Sequence, residues 1–280
     1  MNCGQSFSQP IDHSIKSQTT ETNIMKHFFP FGRPVLECNP EITGKPDLFV
    51  LGAYPSALHV AWQPPEPYKG IKAIAVDNEP EVFWDGSNQE KLIDMWKDSV
   101  GYESSWGSVT SAGNLNGSSG IWVNENILKP LGATRGETFL TDCLNTYRAS
   151  DRGFDRIQDT YAPFATKCGL PQAFLLPHPG EDDIVSESLA HHKDRLIQQI
   201  QAVHPKKIAT LGNAALRVLG QLITATKNLI PNKLSSKPEE YGKCLRIDID
   251  EIKDIEWWPL AHPASPLDYQ DAHKRWINNR

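Results

Sequence analysis

The chain has 280 residues, 39% hydrophobic and 9% aromatic, enough for one large α/β domain or two small ones and too many for a disulfide-built miniprotein. Lys and Arg number 28 against 34 Asp and Glu, and the resulting net charge of −6 excludes a histone-like polycation while leaving room for a local basic groove. No window approaches the roughly 18 consecutive apolar residues of a membrane span, so no membrane partner is expected.

Five cysteines, Cys3, Cys38, Cys143, Cys168 and Cys244, are scattered without a CxxC pair. They suggest neither a disulfide framework nor a zinc or iron–sulfur quartet, and so a reducing compartment with no metal and no cofactor. The segment MNCGQSFSQPIDHS lacks a basic-then-apolar leader, which points to a cytoplasmic protein.

Residues 1–25 are polar and aperiodic and read as a flexible N-terminal arm; residues 26–280 read as a single domain, with no internal repeat and no linker. Lys45 to Leu51 is a β-rich run ending at Gly52, followed by a turn-forming stretch, AYPSALHVAWQPP. Residues 71–76 (IKAIAV) predict a second strand, and Leu92, Ile93 and Trp96 predict a helix from Asn88 to about Lys97. Residues 101–120 hold five glycines and seven serines or threonines without hydrophobic period, and predict a long mobile loop.

NENILKPL (124–131) reads as a short helix stopped by Gly132, and Thr138 to Leu144 as an apolar strand interrupted by Asp142. Leu189, Leu196, Ile200 and Val203 fall at helical spacings up to His204-Pro205. IATLG (208–212) is a strand, with Asn213 as cap of a following helix. Leu245 to Ile249 and Trp257 to Ala261 are further strands, and a helix from Asp268 to about Asn278 follows the HPASPLD loop. This alternation predicts a three-layer α/β/α sandwich around a central, mostly parallel sheet, with ligands beyond the strands' carboxyl ends. GAYPS, the Asp142 region and HPASP all lie at such ends.

Four pieces, GAYPS (52–56), LTDCLNTYR (140–148), HPKKIATLGNAAL (204–216) and LAHPASPL (260–267), spread over about 220 residues, resemble in order and spacing the uracil-DNA glycosylase superfamily. The resemblance implies a monomeric enzyme that hydrolyses the bond between a base and deoxyribose in duplex or single-stranded DNA, leaving an abasic site. It makes His262 the donor to the pyrimidine O2, Leu267 the wedge that fills the vacated stack, and Pro263 and Ser265 backbone contacts.

Asp142 stands where the family usually carries Asn. An ionised carboxylate only accepts hydrogen bonds; it is mismatched to uracil O4 and matched to the N4 amine of cytosine. Protonated, Asp142 could instead donate to N3. The competing reading is a buried or capping Asp in a structural network. Ser56 replaces the tyrosine that blocks C5 substituents in the uracil-specific branch. Together these residues suggest a C5-modified cytosine, such as the glucosylated hydroxymethylcytosine of phage DNA, and a role in antiviral defence.

The family loop carries an acid or amide between Gly and Pro to orient water, but here those residues are Ala53 and Tyr54. Asp77 and Glu79 are the expected substitutes, with Asp85, Glu81 and His59 in reserve, and Tyr54 and Pro55 shape the pocket. Arg148, Arg152 and Arg156, with Lys206 and Lys207, are candidate phosphate contacts, partly offset by Asp151 and Asp155. His191 and His192 lack a third ligand and read as surface residues. Two rivals remain: uracil repair with Asp142 turned away from the pocket, and a non-catalytic nucleic-acid binder.

Overall fold

A computed structural model describes residues 27–280. The expected arm, residues 1–25, lies outside the described residues.

The chain runs β1 (Leu48–Gly52), β2 (Ala57–Gln63), β3 (Ile71–Asn78), α1 (Gln89–Val100), β4 (Ser108–Ser111), α2 (Ser118–Val123), β5 (Thr138–Asp142), α3 (Asp151–Arg156) and α4 (Ala162–Cys168). It continues through α5 (Glu181–Glu187), α6 (Lys193–Val203), β6 (Lys207–Leu211), α7 (Gly212–Gly220), β7 (Ala225–Thr226), β8 (Leu245–Ile249), β9 (Ile252–Leu260) and α8 (Leu267–Asn278). Six strands form a mixed sheet in the order β5-β1-β6-β9-β8-β7. The first four are parallel, and β8 and β7 close one edge antiparallel.

Strand β1 is buried along its whole length, as a central parallel strand must be. Its period of two sends Phe49 and Leu51 to one face, where they join Leu196 and Ile200 of α6, Leu216 of α7 and Trp257 of β9. Leu48 and Val50 go to the other face, against Val123, Ile127, Ala272 and Trp276. Helices therefore cover both faces of the sheet. Each such apolar side chain removed from water contributes about 1.5–3 kcal/mol.

Three strands form a second, antiparallel sheet, β3-β2-β4, inside the β1-to-β5 connection. This corrects two expectations. The stretch after GAYPS is not one long turn: Leu58, Val60 and Trp62 alternate inward, so β2 forms between the prolines at 55 and 64. Nor is 101–120 a loop throughout, because Ser108–Ser111 pairs with Ala61 and its neighbours and α2 begins at Ser118. Small polar residues hide a strand whose side-chain anchors are few, Val109 against the apolar cluster and Ser111 Oγ donating to Gln89 Oε1 at 2.6 Å. Around this sheet, Phe31 sits 5.0–5.5 Å from the rings of Trp62, Trp96, Tyr102 and Tyr161.

Asn213 does not cap its own helix. Its Oδ1 accepts from the Leu234 N–H at 2.8 Å, pinning a distant loop instead. Among the described residues, no helix is long and apolar enough to cross a membrane.

At Gly120 a Cβ would fall 2.1 Å from the Phe83 carbonyl oxygen and 2.3 Å from that of Trp84. Gly120→Ala is therefore expected to cost about 2–4 kcal/mol, read as a lower urea midpoint at unchanged slope.

Candidate functional site

The parallel strands end side by side. Gly52 is in register with Asp142, and Leu211 with Leu260, so the loops after β1, β5, β6 and β9 converge on one edge of the sheet. There they line a cavity of about 790 Å³ with Tyr54, Ser56, Asp142 and His262, joined by Glu79 and Phe83 from the second sheet's side. The sequence thus correctly brings GAYPS, Asp142 and HPASP together, as the carboxyl-edge rule requires.

Asp142 is buried at 4% exposure, and its Oδ1 accepts no hydrogen bond. Burial pushes its pKa up to about 7 against the pull of the Arg195 guanidinium. Gly52 makes this position possible, because a Cβ there would lie 2.2 Å from Asp142 Oδ1 and 2.5 Å from Phe83 Cζ. Below it, Arg195 donates to the carbonyls of Asp142 (2.7 Å) and Cys143 (2.9 Å) and to Thr141 Oγ1 (3.2 Å). The arginine fastens the strand's backbone and leaves the carboxyl group to the cavity.

Glu79 follows β3 and is equally buried, at 8% exposure. Its Oε1 accepts from the Ser56 N–H at 3.0 Å, which docks a carboxyl group on the GAYPS loop. Burial first, and then the charge of Asp142, push its pKa up to about 8. Mutual repulsion couples the two carboxyl groups, so they titrate as a pair.

His262 is half-buried, and burial lowers its pKa to about 4. Its Nδ1 accepts from the Ala264 N–H at 3.1 Å, so the neutral ring carries its proton on Nε2. Ser265 locks the turn by accepting from the His262 N–H (2.9 Å) and donating its own N–H to the His262 carbonyl (2.8 Å). Pro263 also lines the cavity, and Leu267, at 75% exposure, stands free at the start of α8. Tyr54 is half-buried, and its hydroxyl is hydrogen-bonded to His178 Nδ1, which fixes the ring in the cavity wall with Ala53 and Pro55.

Three candidates fall elsewhere. Asp77 pairs with Arg33 Nε at 3.0 Å and accepts from the Asn78 N–H, so it is occupied outside the cavity. His59 lies on β2, where its ring meets the Ala57 carbonyl oxygen at 2.8 Å and packs near Tyr147; it too lies outside the cavity lining. Arg148 is buried at 7% exposure against Glu187, which removes it from the set of surface phosphate contacts. Arg152 is exposed, and Arg156 donates to the Ala73 carbonyl at 3.0 Å.

Sequence reasoning missed Phe83, Arg195 and His178. Phe83 holds a left-handed backbone (φ 53°) that only the fold explains, and Arg195 carries no local signal on its amphipathic helix. His178 is followed by Pro179 and Gly180, turn chemistry that marks a functional loop.

No protein-family model matches the sequence, and no curated protein matches it significantly. Among the described residues, no group of three His, Cys, Asp or Glu side chains could hold a metal ion.

Both buried carboxyl groups bind protons more tightly folded than unfolded. Their stabilising effect is complete below about pH 4 and is lost as pH rises through 7 and 8. The unfolding free energy is expected to fall between pH 5 and 8.5. Glu79→Gln should remove roughly 2–4 kcal/mol of that fall, measured by urea unfolding at each pH.

Proposed function

We propose that this protein is a DNA glycosylase of the uracil-DNA glycosylase type, acting on a flipped-out cytosine-derived base with a substituent on C5. One observation carries the reading: a buried carboxyl group, Asp142, stands in the cavity with an oxygen that bonds to nothing in the protein. Such a group favours a ligand that brings it a donor, because an unsatisfied buried acceptor costs about 1–3 kcal/mol. The edge of cytosine offers an N4 donor beside the N3 acceptor. A protonated Asp142 satisfies both, its carbonyl oxygen accepting from N4 and its hydroxyl donating to N3. The rival in which Asp142 turns away from the pocket to permit uracil is not favoured, since Asp142 lines the cavity.

Chemistry follows from two coupled buried acids, both held well above the usual carboxylate range. An N3 lone pair facing Asp142 demands a hydrogen between them, so substrate selects the arrangement with Asp142 protonated and Glu79 ionised. The C1′–N1 bond then breaks with its electron pair passing to the base. The base takes the Asp142 proton at N3, and water adds to C1′ while its proton goes to Glu79. His262, neutral with Nε2–H, donates to O2 as negative charge collects there; Phe83 supplies an apolar surface for the extruded ring. The product is an abasic site.

Room for a C5 group comes from Ser56, which is small where a tyrosine would close the cavity, and from a volume well above that of a bare pyrimidine. Glucosylated hydroxymethylcytosine of phage DNA is the substrate we infer, with antiviral defence in the cytoplasm as the setting.

The test is release of base from plain, uracil-containing and hydroxymethylated or glucosylated DNA, scored by alkali cleavage. Release from the C5-modified cytosine strand alone is expected, and release from uracil alone would reject the assignment. Asp142→Asn should lose at least about 100-fold on the cytosine substrate and gain uracil excision. His262→Ala should lose about 10²–10³-fold in kcat with KM little changed.

A further inference from the structure

Residues 224–238 (TATKNLIPNKLSSKP) carry three lysines and no acid in a chain whose net charge is −6. Lys227 and Lys233 are exposed and make no ion pair among the described residues, while Lys237 pairs with Glu240 at 3.1 Å. Between the two free lysines stand Leu229, 93% exposed, and Ile230, 38% exposed.

This tip is held firmly at both stems. On one side Thr224 N–H donates to the Asp248 carbonyl at 2.9 Å, and Asn228 Oδ1 accepts from the Arg246 N–H at 2.9 Å. On the other, Leu234 N–H donates to Asn213 Oδ1 at 2.8 Å, and the Leu234 carbonyl accepts from the Tyr269 hydroxyl at 3.2 Å. Leu234, Asn213 and Tyr269 all line the cavity, and Tyr269 lies two residues beyond the exposed Leu267. The loop and the HPASP turn therefore spring from the same stretch of the cavity wall, each ending in a bare leucine. An exposed apolar tip on anchored stems, flanked by unpaired cations, fits a polyanion whose grooves also offer apolar contacts such as the thymine methyl.

We propose that the 227–233 loop is a second arm that grips duplex DNA beside the cavity, Lys227 and Lys233 meeting phosphates and Leu229 entering a groove. The inference rests on the reading of the cavity as a site for an extruded nucleotide, but its test uses plain duplex and no excision.

Anisotropy with an unmodified 20-base-pair duplex would be followed across 50–200 mM salt. Each lysine that neutralises a phosphate contributes about 0.9 to the slope of log K against log salt. Lys227→Glu with Lys233→Glu should weaken binding at least about 10-fold at low salt and reduce the slope by about 2. Leu229→Ala should weaken binding about threefold to tenfold with the slope unchanged. Variants that bind with wild-type affinity and slope overturn the arm even if excision is observed. Loss of binding in the variants, with no excision by any form, leaves the arm standing and rejects the glycosylase. Absence of duplex binding by the unaltered protein overturns the arm as well.

Discussion

The site depends on one close approach. At the end of β1 a residue without a side chain lets the Asp142 carboxyl group and the Phe83 ring meet over the backbone, and a Cβ at Gly52 would lie 2.2 Å from the first and 2.5 Å from the second. A charge so placed has lost its water, and the only strong compensation nearby is Arg195, whose guanidinium is committed to the carbonyls beneath it. The Asp142 pKa is therefore held well above the usual carboxylate range. The same crowding of buried carboxyl groups adds to the effect of burial in raising the Glu79 pKa.

The division of labour among the polar groups is physical. Backbone-directed bonds fix the scaffold: Arg195 under β5, Ser265 across the His262 turn, and Ser56 to Glu79 between the two sheets. Two atoms that face the cavity without a protein partner are Asp142 Oδ1 and His262 Nε2, one an unpaired buried acceptor and one the proton-bearing nitrogen of a neutral ring. A preorganised site spends its hydrogen bonds on itself except at the positions where a ligand must supply the partner.

Much of this was legible in the sequence, and the reason differs by element. β1, β5, β6 and β9 are short apolar runs whose ends carry Gly52, Asp142, Gly212 and His262, so the convergence of those ends follows from the alternation of strands and helices. Glu79 was legible only as one of several acids, because its distance from GAYPS is closed by the hairpin of β2 and β3 rather than by sequence proximity. β2 was hidden by prolines on either side, and β4 by a serine-rich composition that gives no hydrophobic period. Asp77 and His59 have the right chemistry but are committed elsewhere, Asp77 to the Arg33 guanidinium and the His59 ring to the Ala57 carbonyl.

The placement of the second sheet also bears on how the chain acquires its structure. Leu48 pairs with Thr138, so adjacent central strands are separated by 90 residues of chain, and that interval contains the whole of β2, β3 and β4. Closing a long loop costs entropy that grows slowly with its length, and structure formed within the interval shortens the effective tether. The cavity, lined from loops at the ends of several strands, needs those pairings in place. A chain whose β1 and β5 have not yet paired exposes apolar strand edges and lacks the juxtaposition of Asp142 with Glu79.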